Sequence, residues 1–207
     1  SDAAAAFAEA YKQTSALVVR HPYNGDMIFE RGQAEYWNGF VHWQRGEIQK
    51  AGEWYARYRD TGLALVAMNS SKTEWQSELA WGHHNIGAFH LEQSDLDGAL
   101  NEFSAELKIL ETLRSSSPGD SELLSRISDA QSWLGDVAEK QGRLTDSFHQ
   151  YAMEAAVLTQ LSRTSPGTKS WRFLLANTLL FQVDLATVTG QFDVARTKLE
   201  DRQRILA

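Results

Sequence analysis

Three histidines crowd the stretch "WGHHNIGAFH": His83, His84 and His90. Imidazole is the side chain best suited to metal ligation and to proton transfer near neutral pH. Adjacent helical residues point about 100° apart, so His83 and His84 are poorly placed to share an ion. His83 and His90 could lie on one side, but a zinc site takes three or four ligands, and no Asp, Glu or Cys stands at matching spacing. The expectation is therefore no metal and no cofactor, with His90 a packing residue inside the fold. A small-ligand or metal-binding sensor around His84 and Trp81 remains an alternative. No nucleophile elbow, P-loop or dinucleotide fingerprint occurs among the 207 residues. Asp95 and Asp97 read as acids at the start of a helix, favoured there by its dipole. A non-enzymatic chain is expected.

The remaining chemistry is that of a surface. Twenty basic and 27 acidic residues give a net charge of −7, which excludes the basic footprint of a nucleic-acid binder. A 43% hydrophobic content is enough to fold. No apolar run approaches the length of a membrane span. The chain has no cysteine, which suits cytosol and periplasm alike and leaves localisation open. It begins at Ser1 rather than methionine, so a processed or excised piece of a larger protein is expected.

These residues are positioned by a repeat. Gly46, Ser94, Gly142 and Gly190 recur at a constant interval of 48 (46, 94, 142, 190). Other slots keep the register. Gly39, Gly87 and Gly135 align, with Val183 as the exception. Ala51, Ala99, Ser147 and Ala195 align, as do Tyr55, Phe103, Tyr151 and Leu199. Each unit reads as two helices: A over about 26–45, 72–93, 120–141 and 168–189, and B over about 47–68, 95–115, 143–164 and 191–207. The glycine or serine between A and B suits a left-handed helix end. Pro118 and Pro166 stop B helices, Asp120 or Thr168 can cap the next helix, and Ser71–Glu74 has capping-box spacing. The predicted organisation is one array over 1–207: a leading helix at 1–22, then repeats at about 23–70, 71–118, 119–166 and 167–207.

The series Gly87…Ser94…Ala99…Phe103 and its copy Gly135…Gly142…Ser147…Tyr151 resemble the tetratricopeptide repeat (TPR). The family period is about 34 residues, so each helix here is lengthened. The resemblance implies an all-α, right-handed superhelical solenoid of antiparallel helix pairs. In it Gly87 lets helix A approach its own helix B, and Phe103 fills space between repeats. Lengthened repeats of this kind are similar to those of bacterial multidomain signalling proteins, where they accompany kinase, NTPase or other effector domains.

The same resemblance implies that partners bind in the concave groove of the A helices. Carried slot by slot, the groove residues include Tyr36, Phe40, Trp43, Trp81 and His84 in the first half and Asp129, Asp136, Glu139 and Asp184 in the second. Basic residues are absent from these slots, so the lysine-rich clamp that grips acidic chaperone tails is missing. The expected partner is a protein or peptide with apolar and basic residues, bound by a scaffold or sensory segment. Aromatic packing between long helices is the competing explanation of the cluster. It fits Trp75 and Trp171, whose slot is apolar in every repeat, but not Trp81, whose slot otherwise holds Gln33, Asp129 and Asn177. The runner-up function is self-association. Phe192, Leu199, Ile205 and Leu206 make the last helix apolar where a terminal repeat needs a polar cap, so a homodimer through that helix is one option.

Overall fold

The computed structural model describes residues 2–206, and the terminal residues Ser1 and Ala207 of the predicted first and last helices lie outside them. Among the described residues the chain is all α-helix: α1 Asp2–Arg20, α2 Gly25–Gln44, α3 Ile48–Met68, α4 Thr73–Glu92, α5 Leu96–Ser116, α6 Ser121–Lys140, α7 Leu144–Thr164, α8 Lys169–Val188 and α9 Phe192–Leu206. The even helices are the predicted A helices and α3, α5, α7 and α9 the B helices, with ends within two residues of expectation. None is long and apolar enough to cross a membrane.

The A-to-B turn is built alike in each repeat. Gly46, Ser94, Gly142 and Gly190 all have positive φ, between 58° and 74°. The residue after each donates its N–H to a carbonyl five residues back, as in Glu47→His42 at 3.0 Å and Arg143→Ala138 at 2.8 Å. That bond closes the helix end in a Schellman arrangement, which needs one left-handed residue. Ser94 takes this conformation against the preference of an L side chain.

Helix starts follow the sequence less closely. Asn24 and Asp120 cap α2 and α6, each accepting from two backbone N–H groups. Thr168 makes no side-chain cap bond. The capping box expected at Ser71–Glu74 does not form: Lys72 occupies the cap position, and the Ser71 hydroxyl donates to Asn69 Oδ1 at 2.8 Å instead. An asparagine side chain bonding two residues ahead competes well with a helix cap in such turns.

Two compact units divide the chain between Ile109 and Leu110. In the first, α1 packs on α2, α2 on α3 and α3 on α4. Phe7 of α1 stacks on Trp37 at 5.4 Å, and Asn38 donates to the Phe7 carbonyl, tying the leading helix to the first repeat. Ile28, Leu65 and Trp75 form one core cluster, and Ala51, Tyr55 and Ile86 another. In the second unit, α6 packs on α7, α7 on α8 and α8 on α9. There the buried side chains include Leu124, Ile127, Tyr151, Leu158 and Leu161.

The conserved-size slots explain how A meets B. A Cβ on Gly39 would stand 2.6 Å from the Tyr55 ring, and one on Gly135 would stand 2.8 Å from the ring of Tyr151. The B-helix aromatic therefore lies over the glycine of its own repeat. It also reaches the next repeat, as expected of this slot: Tyr151 stacks on Phe181 of the following repeat at 5.2 Å.

Candidate functional site

The glycine–aromatic contacts hold α2 and α4 so that their next helical face stays open. On that face of the first unit lies a pocket of about 300 Å³. Tyr36, Phe40 and Trp43 reach it from α2, and Trp81, His84, Asn85 and Ala88 from α4. Apart from the adjacent His84 and Asn85, these α2 and α4 positions are spaced by three, four or seven residues, which keeps them on one face of each helix. All five residues nominated from the first half of the sequence thus border one concavity. Phe40 is 36% exposed and Trp81 38%, large values for such rings.

The rings support one another. Tyr36 stacks on Phe40 at 6.3 Å, Trp43 lies 6.1 Å from Tyr55, and Trp81 meets His84 edge-on at 5.4 Å. Tyr55 of α3 forms the back wall. Sequence reasoning had assigned it to packing alone; its slot is aromatic in three repeats, which conceals a second role. Burial raises the Tyr36 phenol above its ordinary value, and the nearby Glu78 carboxylate raises it further. Glu78 itself accepts from Gln33 Nε2 at 2.7 Å and from the Tyr58 hydroxyl.

Each of His83, His84 and His90 has its own acid partner. His83 Nδ1 lies 2.6 Å from Glu102, which also accepts from Arg59 at 2.8 Å. Burial pushes the Glu102 carboxyl up, but His83 and the Arg59 guanidinium outweigh it and hold the group below the usual range. His84 Nδ1 lies 3.1 Å from Glu106, a carboxylate only 1% exposed. His90 is not sealed inside the repeat as expected; it is part-exposed and pairs with Asp95 at 2.7 Å across the A-to-B turn. His42, in the same slot one repeat earlier, pairs likewise with Glu47 at 2.8 Å. The sequence reading missed these partners because Glu102 and Glu106 come from the neighbouring helix. Among the described residues no group of three or more His, Cys, Asp or Glu is placed to hold a metal ion.

The acids nominated from the second half differ among themselves. Asp136 is half-buried and accepts from the Tyr151 hydroxyl at 2.5 Å, so it braces the α6–α7 pair. Asp129, Glu139 and Asp184 are exposed. Glu139 and Asp184 flank a small pocket of about 130 Å³ whose apolar walls are Leu144, Phe181, Leu185 and Val188.

No protein-family model matches the sequence, and no curated protein matches it. Solved structures do resemble it. BtubC (BKLC) from P. vanneervenii matches with a TM-score of 0.65 at 12% identity, over 99% of this chain and 89% of that one. MamA matches with a TM-score of 0.51 at 12% identity, over 96% of this chain and 88% of its own. At such identity the likeness concerns the fold alone. Both are TPR proteins, and this chain shares their all-helical, TPR-like fold of sequentially packed helix pairs.

Proposed function

We propose that the chain is a non-enzymatic protein-interaction module, a scaffold or regulatory segment. It receives an extended or helical stretch of a partner protein on the open face of α2 and α4. The observation that carries this reading is the convergence of Tyr36, Phe40, Trp43, Trp81 and His84 on one pocket of about 300 Å³. Aromatic side chains in a concave site are the usual anchors of interface affinity, and Trp81 stands 38% exposed at its rim. In the second unit, Glu139 and Asp184 offer a separate place for basic side chains of a partner. The test is capture of partners from cell extract with wild-type protein and with Trp81→Ala in parallel, alongside thermal unfolding. Loss of a specific partner with unchanged unfolding supports the reading; capture unchanged by the substitution overturns it.

A second reading, self-association, draws on the apolar side chains at the end of the second unit. Val188 is 74% exposed and Phe192 68%, with Phe181 and Leu199 also exposed. Sedimentation equilibrium over a wide concentration range decides it: a dimer weakened by Phe192→Asp supports association through this end, and a strict monomer rejects it.

A further inference from the structure

On the B-helix side of the second unit, α7 and α9 flank a groove of about 410 Å³ with α8 as its floor. Its apolar surface comes from Ala155, Ala156, Leu175, Leu179 and Ile205. Along α7 it runs from Ala152 to Thr159, about two helical turns. The 48-residue register explains why the groove is open. Two periods earlier, the slots of Ala155, Ala156, Leu179 and Lys198 hold Arg59, Asp60, His83 and Glu102. In the first unit these four bond to one another. Arg59 pairs with Asp60 at 3.0 Å and with Glu102 at 2.8 Å, and His83 meets Glu102 at 2.6 Å. In the second unit three of them become apolar, and Lys198 reverses the charge of the fourth. All four replacements line the groove.

The other polar side chains of the lining are engaged. The Thr159 hydroxyl donates to the Ala155 carbonyl at 2.7 Å, and Asp201, the acid of the lining, pairs with Arg204. Lys198 is half-buried and takes part in neither bond. Its methylene stem can lie along the apolar surface while its ammonium faces the opening. A purely apolar anchor would cover Leu175 and Leu179 but strip water from that ammonium with nothing in return. A basic anchor would meet repulsion from Lys198, with Asp201 already held by Arg204. An acid alone would leave the apolar floor uncovered. An apolar side chain with a carboxylate beside it answers both, supplying from outside the counter-charge that Arg59 and Glu102 give each other in the first unit. The groove is open along its length rather than enclosed. That suits side chains carried on a partner backbone better than a small molecule, which a site normally surrounds.

We propose that the groove between α7 and α9 docks an acidic, amphipathic segment of a partner protein, with an apolar side chain over Leu175 and Leu179 and a neighbouring carboxylate at Lys198. This is a second contact surface, separate in residues and in chemistry from the aromatic pocket of the first unit.

The experiment uses the 207-residue chain and three capped dipeptides: N-acetyl-Leu-Glu amide, N-acetyl-Leu-Gln amide and N-acetyl-Leu-Lys amide. Hexanoate serves as a small carboxylate without a peptide backbone. Binding is read from the methyl resonances of Ala155 and Leu179 by NMR. The expected result is a saturable shift of both by the Leu-Glu probe, about threefold or more tighter than by Leu-Gln, with Leu-Lys weakest. Lys198→Gln should bring Leu-Glu down to the level of Leu-Gln, and Lys198→Glu should reverse the order in favour of Leu-Lys. Unfolding curves establish that both variants are folded, and the wild-type comparison decides the matter even where one is not. If Leu-Gln or Leu-Lys binds as tightly as Leu-Glu, the assignment of an acidic partner is overturned. If hexanoate binds more tightly than Leu-Glu, the groove is a small-carboxylate site and the partner segment is overturned. If no probe shifts either methyl, the groove takes no anchor and the inference falls. The aromatic pocket contributes to none of these readouts, so the interaction reading on α2 and α4 is judged separately, by Trp81→Ala.

Discussion

The Phe103 ring lies against Gly87 so closely that a Cβ on the glycine would stand 2.7 Å from Cε1. Phe103 is fully buried, so its ring has no space into which to retreat. Gly87→Ala gains about 1 kcal/mol of helix propensity but forces overpacking that costs roughly 1–3 kcal/mol. The expected outcome is net destabilisation, read as a melting temperature lower by several degrees. The fourth repeat indicates the rescue, since it carries Val183 and Leu199 in these two slots. The double variant Gly87→Ala/Phe103→Leu should therefore recover part of the loss; a double variant less stable than either single one would show that the contact is not what sets the spacing.

Among the described residues Ser94 is the non-glycine residue held at positive φ, at 58°, while its counterparts at 46, 142 and 190 are glycines. An L residue there carries a cost of about 1–2 kcal/mol, partly offset by the greater chain entropy that glycine loses on folding. Ser94→Gly should raise the melting temperature by about 1–3 °C. Calorimetry on the two proteins checks this, and an unchanged or lowered value would mean that the Ser94 side chain contributes something glycine cannot.

The repeat register was legible because close packing leaves a size imprint. Gly87 admits no side chain and Phe103 no small one, so both slots are marked in sequence. The left-handed turns were legible for the same reason: backbone conformation filters residue type at 46, 94, 142 and 190. Helix caps were half legible, since Asp120 capped as expected while Ser71 was captured by Asn69. The pocket walls from α2 and α4 followed from slot position, but Tyr55 did not, because one ring there both packs against Gly39 and lines the cavity. The acid facing His83 left no periodic mark, since the Glu102 slot otherwise holds Trp54, Gln150 and Lys198, and the acid facing His84 left a weak one, since the Glu106 slot holds an acid again only at Glu154, beside Tyr58 and Arg202. Contacts made by one repeat alone are invisible to a method that reads what repeats share.

Glu154 is a buried acid expected to make stability depend on pH. It is 7% exposed; burial raises it most, the negative charges of Asp129 and Asp136 add to this, and the hydroxyls of Thr178 and Ser132 only partly oppose it, so its pKa rises from 4.5 to about 7. The folded state therefore binds this proton more tightly than the unfolded chain does. The stabilisation is fully present below pH 4.5 and is lost as pH rises through about 7, to an extent on the order of 3 kcal/mol at most. Glu154→Gln keeps the shape without the charge. Urea unfolding at pH 5 and pH 8 should show the variant gaining on the wild type at the higher pH; equal gains at both would mean that Glu154 does not titrate in this window.

Asp136 and its acidic neighbours should separate cleanly under substitution. Asp136 accepts from the Tyr151 hydroxyl, and Tyr151 is 1% exposed. Asp136→Ala leaves that donor without its partner, which costs about 1–3 kcal/mol. Its effect should appear first in thermal unfolding, and any loss of binding should follow the loss of fold. Glu139 and Asp184 are exposed beside the pocket formed with Phe181 and Val188. Glu139→Gln/Asp184→Asn should leave the melting temperature within about 1–2 °C of wild type. Surface charges act mainly on encounter and are screened by salt. A basic partner should therefore associate with the double variant more slowly at low ionic strength, with a flatter dependence on salt. Stopped-flow association of the partner at low and high salt, run beside calorimetry on both proteins, gives the two readouts together. An Asp136→Ala protein that melts like wild type but loses the partner would return Asp136 to the binding surface, and a double variant with unchanged salt dependence would remove Glu139 and Asp184 from it.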